Sequence, residues 1–138
     1  MSRGKILLTI LLTTAIAITL YLYWSTSSMN ETLTKYGDIT VQQAHDLIQS
    51  HPKLVILDVR TQQEYDEGHI ERAILIPLNE LGVRLGELSM SDDLLVYCRT
   101  GTRSSQVVGI LKANGYTRIF HMKDGITTWI QAGYTVTK

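Results

Sequence analysis

Leu94-Leu95-Val96-Tyr97 is a continuous apolar run that delivers Cys98, the only cysteine in the chain, into the polar, basic loop Arg99-Thr100-Gly101-Thr102-Arg103. A run this short and without alternation reads as a strand buried on both faces, as in a parallel sheet. Ser104 and Ser105 lead into Gln106 to Lys112, which reads as a helix stopped by Asn114-Gly115. Cys98 thus falls between a strand end and a helix start, where unpaired amides and the partial positive charge of the first turn favour an anion. With Arg99 and Arg103 beside it, its thiol is expected to ionise below the reference value of about 8.5, and the thiolate is the nucleophilic form. By itself a cysteine ending an apolar strand is a small buried hydrophobe. Glycine, hydroxyl and guanidinium groups following it so closely argue instead for an anion cradle.

The rest of the chain alternates in the same way. Thr40-Val41-Gln42-Gln43 has the form of a capping box and opens a helix through Ala44, Leu47 and Ile48 that His51-Pro52 ends. Leu54-Val55-Ile56-Leu57 reads as a second buried strand, and Thr61-Gln62-Gln63-Glu64 repeats the capping box before a brief helix that Gly68 ends. Ile74-Leu75-Ile76 is a third strand, closed by Pro77, and Leu78 to Leu88 is a weak helix interrupted by Gly82 and Gly86. Arg118 to Met122 reads as a further strand, and Ile126 to Gln131 as a last short helix with Trp129 in the core. Such alternation predicts an α/β domain with a mainly parallel sheet and a ligand site at the carboxyl ends of its strands, where Cys98 stands.

Four motifs, taken together, resemble those of single-domain rhodanese-type sulfurtransferases. Val96 to Ser104 looks like the active-site loop of that family. Leu57-Asp58-Val59-Arg60 with Glu64-Tyr65, Gly68-His69-Ile70 followed by Ala73, and Asp124-Gly125 with Trp129 and Gly133 stand in the family's order, over about residues 37 to 135. The chain departs from the family at Lys123-Asp124-Gly125, where many members have paired glycines; the turn there is expected to be less tight or differently charged. The resemblance implies a three-layer domain with a five-stranded sheet over residues 37–138. It also implies Cys98 as catalytic nucleophile, Arg99, Thr100, Gly101, Thr102 and Arg103 as the substrate-binding loop, and His69 as structural. Asp58 and Arg60 follow a buried strand and are expected to pin loops near the site through ion pairs.

Ahead of the domain, residues 1–5 are a short basic start and Ile6 to Trp24 carries no charge and ends in Tyr21, Tyr23 and Trp24. As a helix of about 1.5 Å per residue, this run is roughly 28 Å long and matches a bilayer core, with aromatic residues at its end. It reads as a single transmembrane helix over 6–24, followed by a polar tether over 25–36. Ala15-Ile16-Ala17 has the small-x-small form of a cleavage site, but Ile18 to Trp24 stays apolar beyond it, which favours an anchor over a cleaved signal. Arg3 and Lys5 precede the run and the next basic residue is Lys35, so the N-terminus is expected in the cytoplasm and the domain outside it.

With 13 basic and 13 acidic residues the chain has no formal net charge, and no nucleic-acid partner is suggested. His45, His51 and His121 stand at no metal-ligand spacing, so neither a metal nor a cofactor is expected. The function read from these residues is a membrane-anchored sulfurtransferase that carries sulfane sulfur as a persulfide on Cys98. The basic loop points to a small anionic donor such as thiosulfate; the acceptor is thiophilic, cyanide or a thiol. One alternative is a non-enzymatic sulfur-carrier or docking module. Another is a cysteine phosphatase or arsenate reductase, disfavoured because those loops place one residue more between cysteine and arginine than the four that separate Cys98 from Arg103 here.

Overall fold

The computed structural model describes residues 13–23 and 36–138, and the chain divides between Lys35 and Tyr36 into two compact units. In the first unit residues 13–23 are helical, with the Thr19 hydroxyl donating to the Ile16 carbonyl at 2.9 Å. Turning a hydroxyl back on its own helix is how a threonine sits in an apolar segment. Ile16, Ile18, Leu20 and Leu22 of this helix are exposed. Among the described residues no helix is long and apolar enough to cross a membrane. The basic start over 1–5 lies outside the described residues, as do most of the tether over 25–36 and both ends of the span expected over 6–24.

In the second unit five parallel strands stand in the order β1-β5-β4-β2-β3. They are β1 (Gly37–Ile39), β2 (Val55–Asp58), β3 (Ile74–Leu75), β4 (Leu94–Tyr97) and β5 (Ile119–Met122). The helices are α1 (Val41–Ser50), α2 (Gln62–Glu67), α3 (Leu81–Arg84), α4 (Thr102–Ala113) and α5 (Gly125–Gln131), and a 3₁₀ turn at Leu85–Glu87 continues α3. Both capping boxes form: Thr40 and Gln43 exchange bonds at the start of α1, as Thr61 and Glu64 do at the start of α2. The weak helix expected over Leu78 to Leu88 is shortened to α3 and its 3₁₀ turn, in keeping with the cost of Gly82 and Gly86 in a helix.

Alternation along β4 divides the core into two layers. Leu95 and Tyr97 pack with Leu47, Phe120, Met122 and Trp129 on one face, against α1 and α5. Leu94, Val96 and Cys98 pack with Val107, Leu111 and Ile119 on the other, against α4. Every residue of β4 is buried, because the strand lies between β5 and β2 with helices on both faces. Burial of each such leucine or valine is worth about 1.5–3 kcal/mol, and it fixes where the strand ends and the cysteine loop begins. At one sheet edge β1 adds a short strand that pairs with β5, bringing Asp38 opposite His121.

Candidate active site

The cradle around Cys98 is built by interlocking two loops. The chain leaves β4 at Cys98, turns at Gly101, which has φ +98°, and enters α4 at once. Gly125, at φ +69°, sits so close that a Cβ there would lie 2.3 Å from the Arg99 carbonyl oxygen. The first amides of α5 then bind the outward carbonyls of the loop, Ile126 N–H donating to Cys98 O at 2.9 Å and Thr127 N–H to Arg99 O at 3.1 Å. With these carbonyls held outward, the loop amides are free to face the sulfur. Of the two outcomes expected for Lys123-Asp124-Gly125, the turn is tight rather than loose, because its one glycine stands against the loop backbone, and Lys123 and Asp124 leave it charged.

Cys98 is 1% exposed. Gly101 N–H donates to its Sγ at 3.1 Å and the Ser104 hydroxyl lies 3.3 Å from the same sulfur. Burial pushes the thiol up, but the Ser104 hydroxyl and the amides of Ser104, Thr100 and Gly101 outweigh it and hold the thiol below its ordinary value. Hydrogen bonds from the loop and the first turn of α4 thus favour the thiolate.

The arginines face elsewhere. Arg103 places both terminal nitrogens on the Glu64 carboxylate at 2.6 and 2.8 Å, and Arg99 Nε donates to Glu64 Oε1 at 2.8 Å. The hydrogen bonds from Arg103 lead in holding the Glu64 carboxyl well below the usual carboxylate range, against the opposing effect of burial, with Thr61 and Arg99 adding to them. The Glu64 that closes the capping box of α2 therefore clamps the cysteine loop. Beside this clamp are a recess of about 250 Å³ lined by Val59, Pro77, Leu78 and Arg103 and one of about 170 Å³ lined by Arg99, Glu64, Ile126 and Ile130. Thr100 and Thr102 stand exposed on the loop.

The other expected residues support the loops. Asp58, fully buried, chelates the Arg60 guanidinium, with contacts of 2.6–3.0 Å, and Arg60 also donates to the Gly68 carbonyl at 2.8 Å. The pair thereby joins the end of β2 to the end of α2. His69 stacks on Tyr65 with ring centroids 3.6 Å apart and pairs its backbone with Thr137, tying down the C-terminal segment. His121, given no role by its spacing in the sequence, is buried behind Ser104, with Nε2 2.9 Å from the hydroxyl and Nδ1 2.8 Å from Asp38. Glu64, Asp38 and His121 are the site residues that sequence reasoning missed. Among the described residues no cluster of His, Cys, Asp or Glu is arranged to hold a metal ion.

The class that the fold and site define is a five-stranded parallel α/β domain that holds a buried cysteine under backbone amides at a strand end, the setting in which a thiol ionises more readily. The model of the rhodanese-like domain matches residues 40–132, and the chain belongs to that family. It is 31% identical over 83 residues to a sulfurtransferase of Allochromatium vinosum, an alignment covering 60% of this chain and 78% of that protein. It is 29% identical over 100 residues to the putative sulfur carrier protein YrkF of Bacillus subtilis, covering 72% of this chain and spanning only 54% of that longer relative. In structure it is similar to a rhodanese-related protein from Thermoplasma volcanium, with a TM-score of 0.67 and 31% identity, covering 74% of this chain and 98% of the other.

Proposed function

We propose that this chain is a sulfurtransferase that accepts sulfane sulfur from thiosulfate on Cys98 and passes it to a thiophilic acceptor. The observation that carries the reading is the Cys98 sulfur under the Gly101 amide and Ser104 hydroxyl, at 3.1 and 3.3 Å. The thiolate attacks the outer sulfur of thiosulfate; the sulfur–sulfur bond of the donor breaks and sulfite leaves with its electron pair. The amides that held the thiolate then hold the persulfide anion. A thiolate or cyanide attacks the outer sulfur in turn, and Cys98 departs as a thiolate.

Membership in the family and the likeness to a protein named sulfurtransferase support this reading. The short spacing from Cys98 to Arg103 also favours a cradle for one sulfur atom over one for a phosphoryl group. Because Glu64 occupies both arginines, donor charge meets the loop amides first and competes with Glu64 for Arg103. The apolar segment over 6–24, preceded by Arg3 and Lys5, anchors the domain to a membrane on its outer side.

Intact mass of the full chain after incubation with thiosulfate tests the proposal: one added sulfur atom, removed by a thiol reductant and absent in Cys98→Ser, is expected. Catalytic release of sulfite with cyanide as acceptor separates an enzyme from the second reading, a sulfur carrier, which the likeness to a putative sulfur carrier protein favours. A carrier takes up one sulfur and does not turn over. Hydrolysis of aryl phosphates dependent on Cys98 would overturn both readings.

A further inference from the structure

We propose that Asp38, His121 and Ser104 form a proton relay that takes up the thiol proton of Cys98, so that the nucleophile ionises without a base from solvent. Four side chains stand in one line across the α4 face of the sheet. Asp38 Oδ1 is 2.8 Å from His121 Nδ1, His121 Nε2 is 2.9 Å from Ser104 Oγ, and Ser104 Oγ is 3.3 Å from Cys98 Sγ. Ser104 is fully buried and His121 is 6% exposed, while the Asp38 side chain is 68% exposed and opens the far end to water.

Hydrogen-bonding capacity decides the direction. An ionised carboxylate only accepts, so Nδ1 of His121 carries its proton toward Asp38, and Nε2 of the neutral ring offers a lone pair to Ser104. The Ser104 hydroxyl has one proton, and within reach are Nε2, the Gly101 carbonyl at 3.0 Å and the Cys98 sulfur. With the ring neutral, Ser104 donates to Nε2 and accepts from the thiol. When the thiol proton passes to Ser104 Oγ and the hydroxyl proton passes to Nε2, a thiolate and an imidazolium result with no change in total charge. The two bonds to Ser104 are kept and reversed, the ring now donating to Ser104 and Ser104 to the thiolate, while Nδ1 still donates to Asp38. Asp38 faces the charge that the ring acquires.

The titratable groups that meet the ring are Asp38 on β1 and, through Ser104, Cys98; its partner in register on β4 is the apolar Val96. Lys123, two residues on, lies exposed in the turn after β5. His121 and Asp38 touch no reacting atom and act as positioning residues through Ser104. The relay rests on the proposed function only in taking the Cys98 thiolate as the working species.

The test is the pH profile of alkylation by iodoacetamide in the full chain, where the single cysteine makes intact mass specific for Cys98 and no sulfur transfer is required. In His121→Asn the midpoint is expected to rise by about one pH unit, with a roughly tenfold slower rate near neutrality and an unchanged limiting rate at high pH. Asp38→Asn, at a side chain 68% exposed, is expected to shift the midpoint the same way by less. In a Ser104→Ala background, His121→Asn should add no further shift, because the line is already cut. An unshifted midpoint in folded His121→Asn and Asp38→Asn would overturn the relay. So would an equal loss of rate at every pH, or additive shifts from Ser104→Ala and His121→Asn. Failure of persulfide formation with these shifts present would count against the proposed function and leave the relay standing.

Discussion

A methyl group placed on Gly101 would come within 1.9 Å of the Lys123 carbonyl oxygen. The cysteine loop and the turn after β5 are therefore packed backbone to backbone, and neither moves without the other. Gly101→Ala combines this overlap with a left-handed φ of +98°, which alone costs about 1–2 kcal/mol for a residue with a Cβ. The loop must shift to relieve it, turning the Gly101 amide away from Cys98. The expected result is a lower midpoint in urea unfolding together with a higher pH midpoint for Cys98 alkylation. A variant that unfolds and alkylates like the parent chain would show that the loop relaxes without losing the cradle.

Glu64 makes a pH-dependent contribution to stability. Its folded-state ionisation lies below the ordinary value of 4.5, chiefly because Arg103 binds the charged form. A depressed acid stabilises the fold above its unfolded value and loses that contribution as the pH falls through its folded value. Glu64→Gln is accordingly expected to lower stability near neutrality by about 1.5–3 kcal/mol, as for hydrogen bonds to a charged group. The gap from the parent should narrow as the pH drops below 4.5. Thermal melts across that range check the sign; a gap that widens on acidification would contradict the assignment.

Arg60 and Asp58 give a prediction about folding. Removing one member of a buried ion pair leaves the other uncompensated, at a cost of about 3–5 kcal/mol. Asp58 is fully buried, so Arg60→Ala should fall in this range, and Arg60→Lys, which keeps the charge but loses the fork-shaped contact, should fall between it and the parent chain. Persulfide formation per folded molecule should persist in Arg60→Lys. Urea unfolding measures the first effect and intact mass the second; a loss under 1 kcal/mol, roughly that of an exposed pair, would mean that water replaces the guanidinium.

The proposed N-terminal anchor is testable independently of chemistry. The full chain is expected in the membrane fraction after carbonate washing, and a tag fused after Lys138 should be digested by protease added to sealed cells. Digestion only after lysis would reverse the orientation inferred from Arg3 and Lys5, and recovery of the chain in the soluble fraction would remove the anchor.

The layout of the domain was legible in local sequence because its signals are local. Capping boxes at Thr40 and Thr61 act within one helical turn, and the continuous apolar run into Cys98 marks a central buried strand whatever its neighbours are. The family motifs added the expected place of the nucleophile. β1 escaped notice because its three residues carry too short a pattern, and only pairing with β5 makes Gly37–Ile39 a strand. The partners of the cradle are set by tertiary structure alone. Arg103 meets Glu64 across 39 positions and His121 meets Asp38 across 83. An arginine beside a cysteine looks the same in sequence whether it faces the sulfur or a carboxylate on another helix. The crossover order of the sheet brings β5 against β4 and β1 against β5, and so turns a histidine with no meaningful spacing into the group behind Ser104. Local propensity decides which segments become strands and helices; packing of those segments decides which charges and protons face one another.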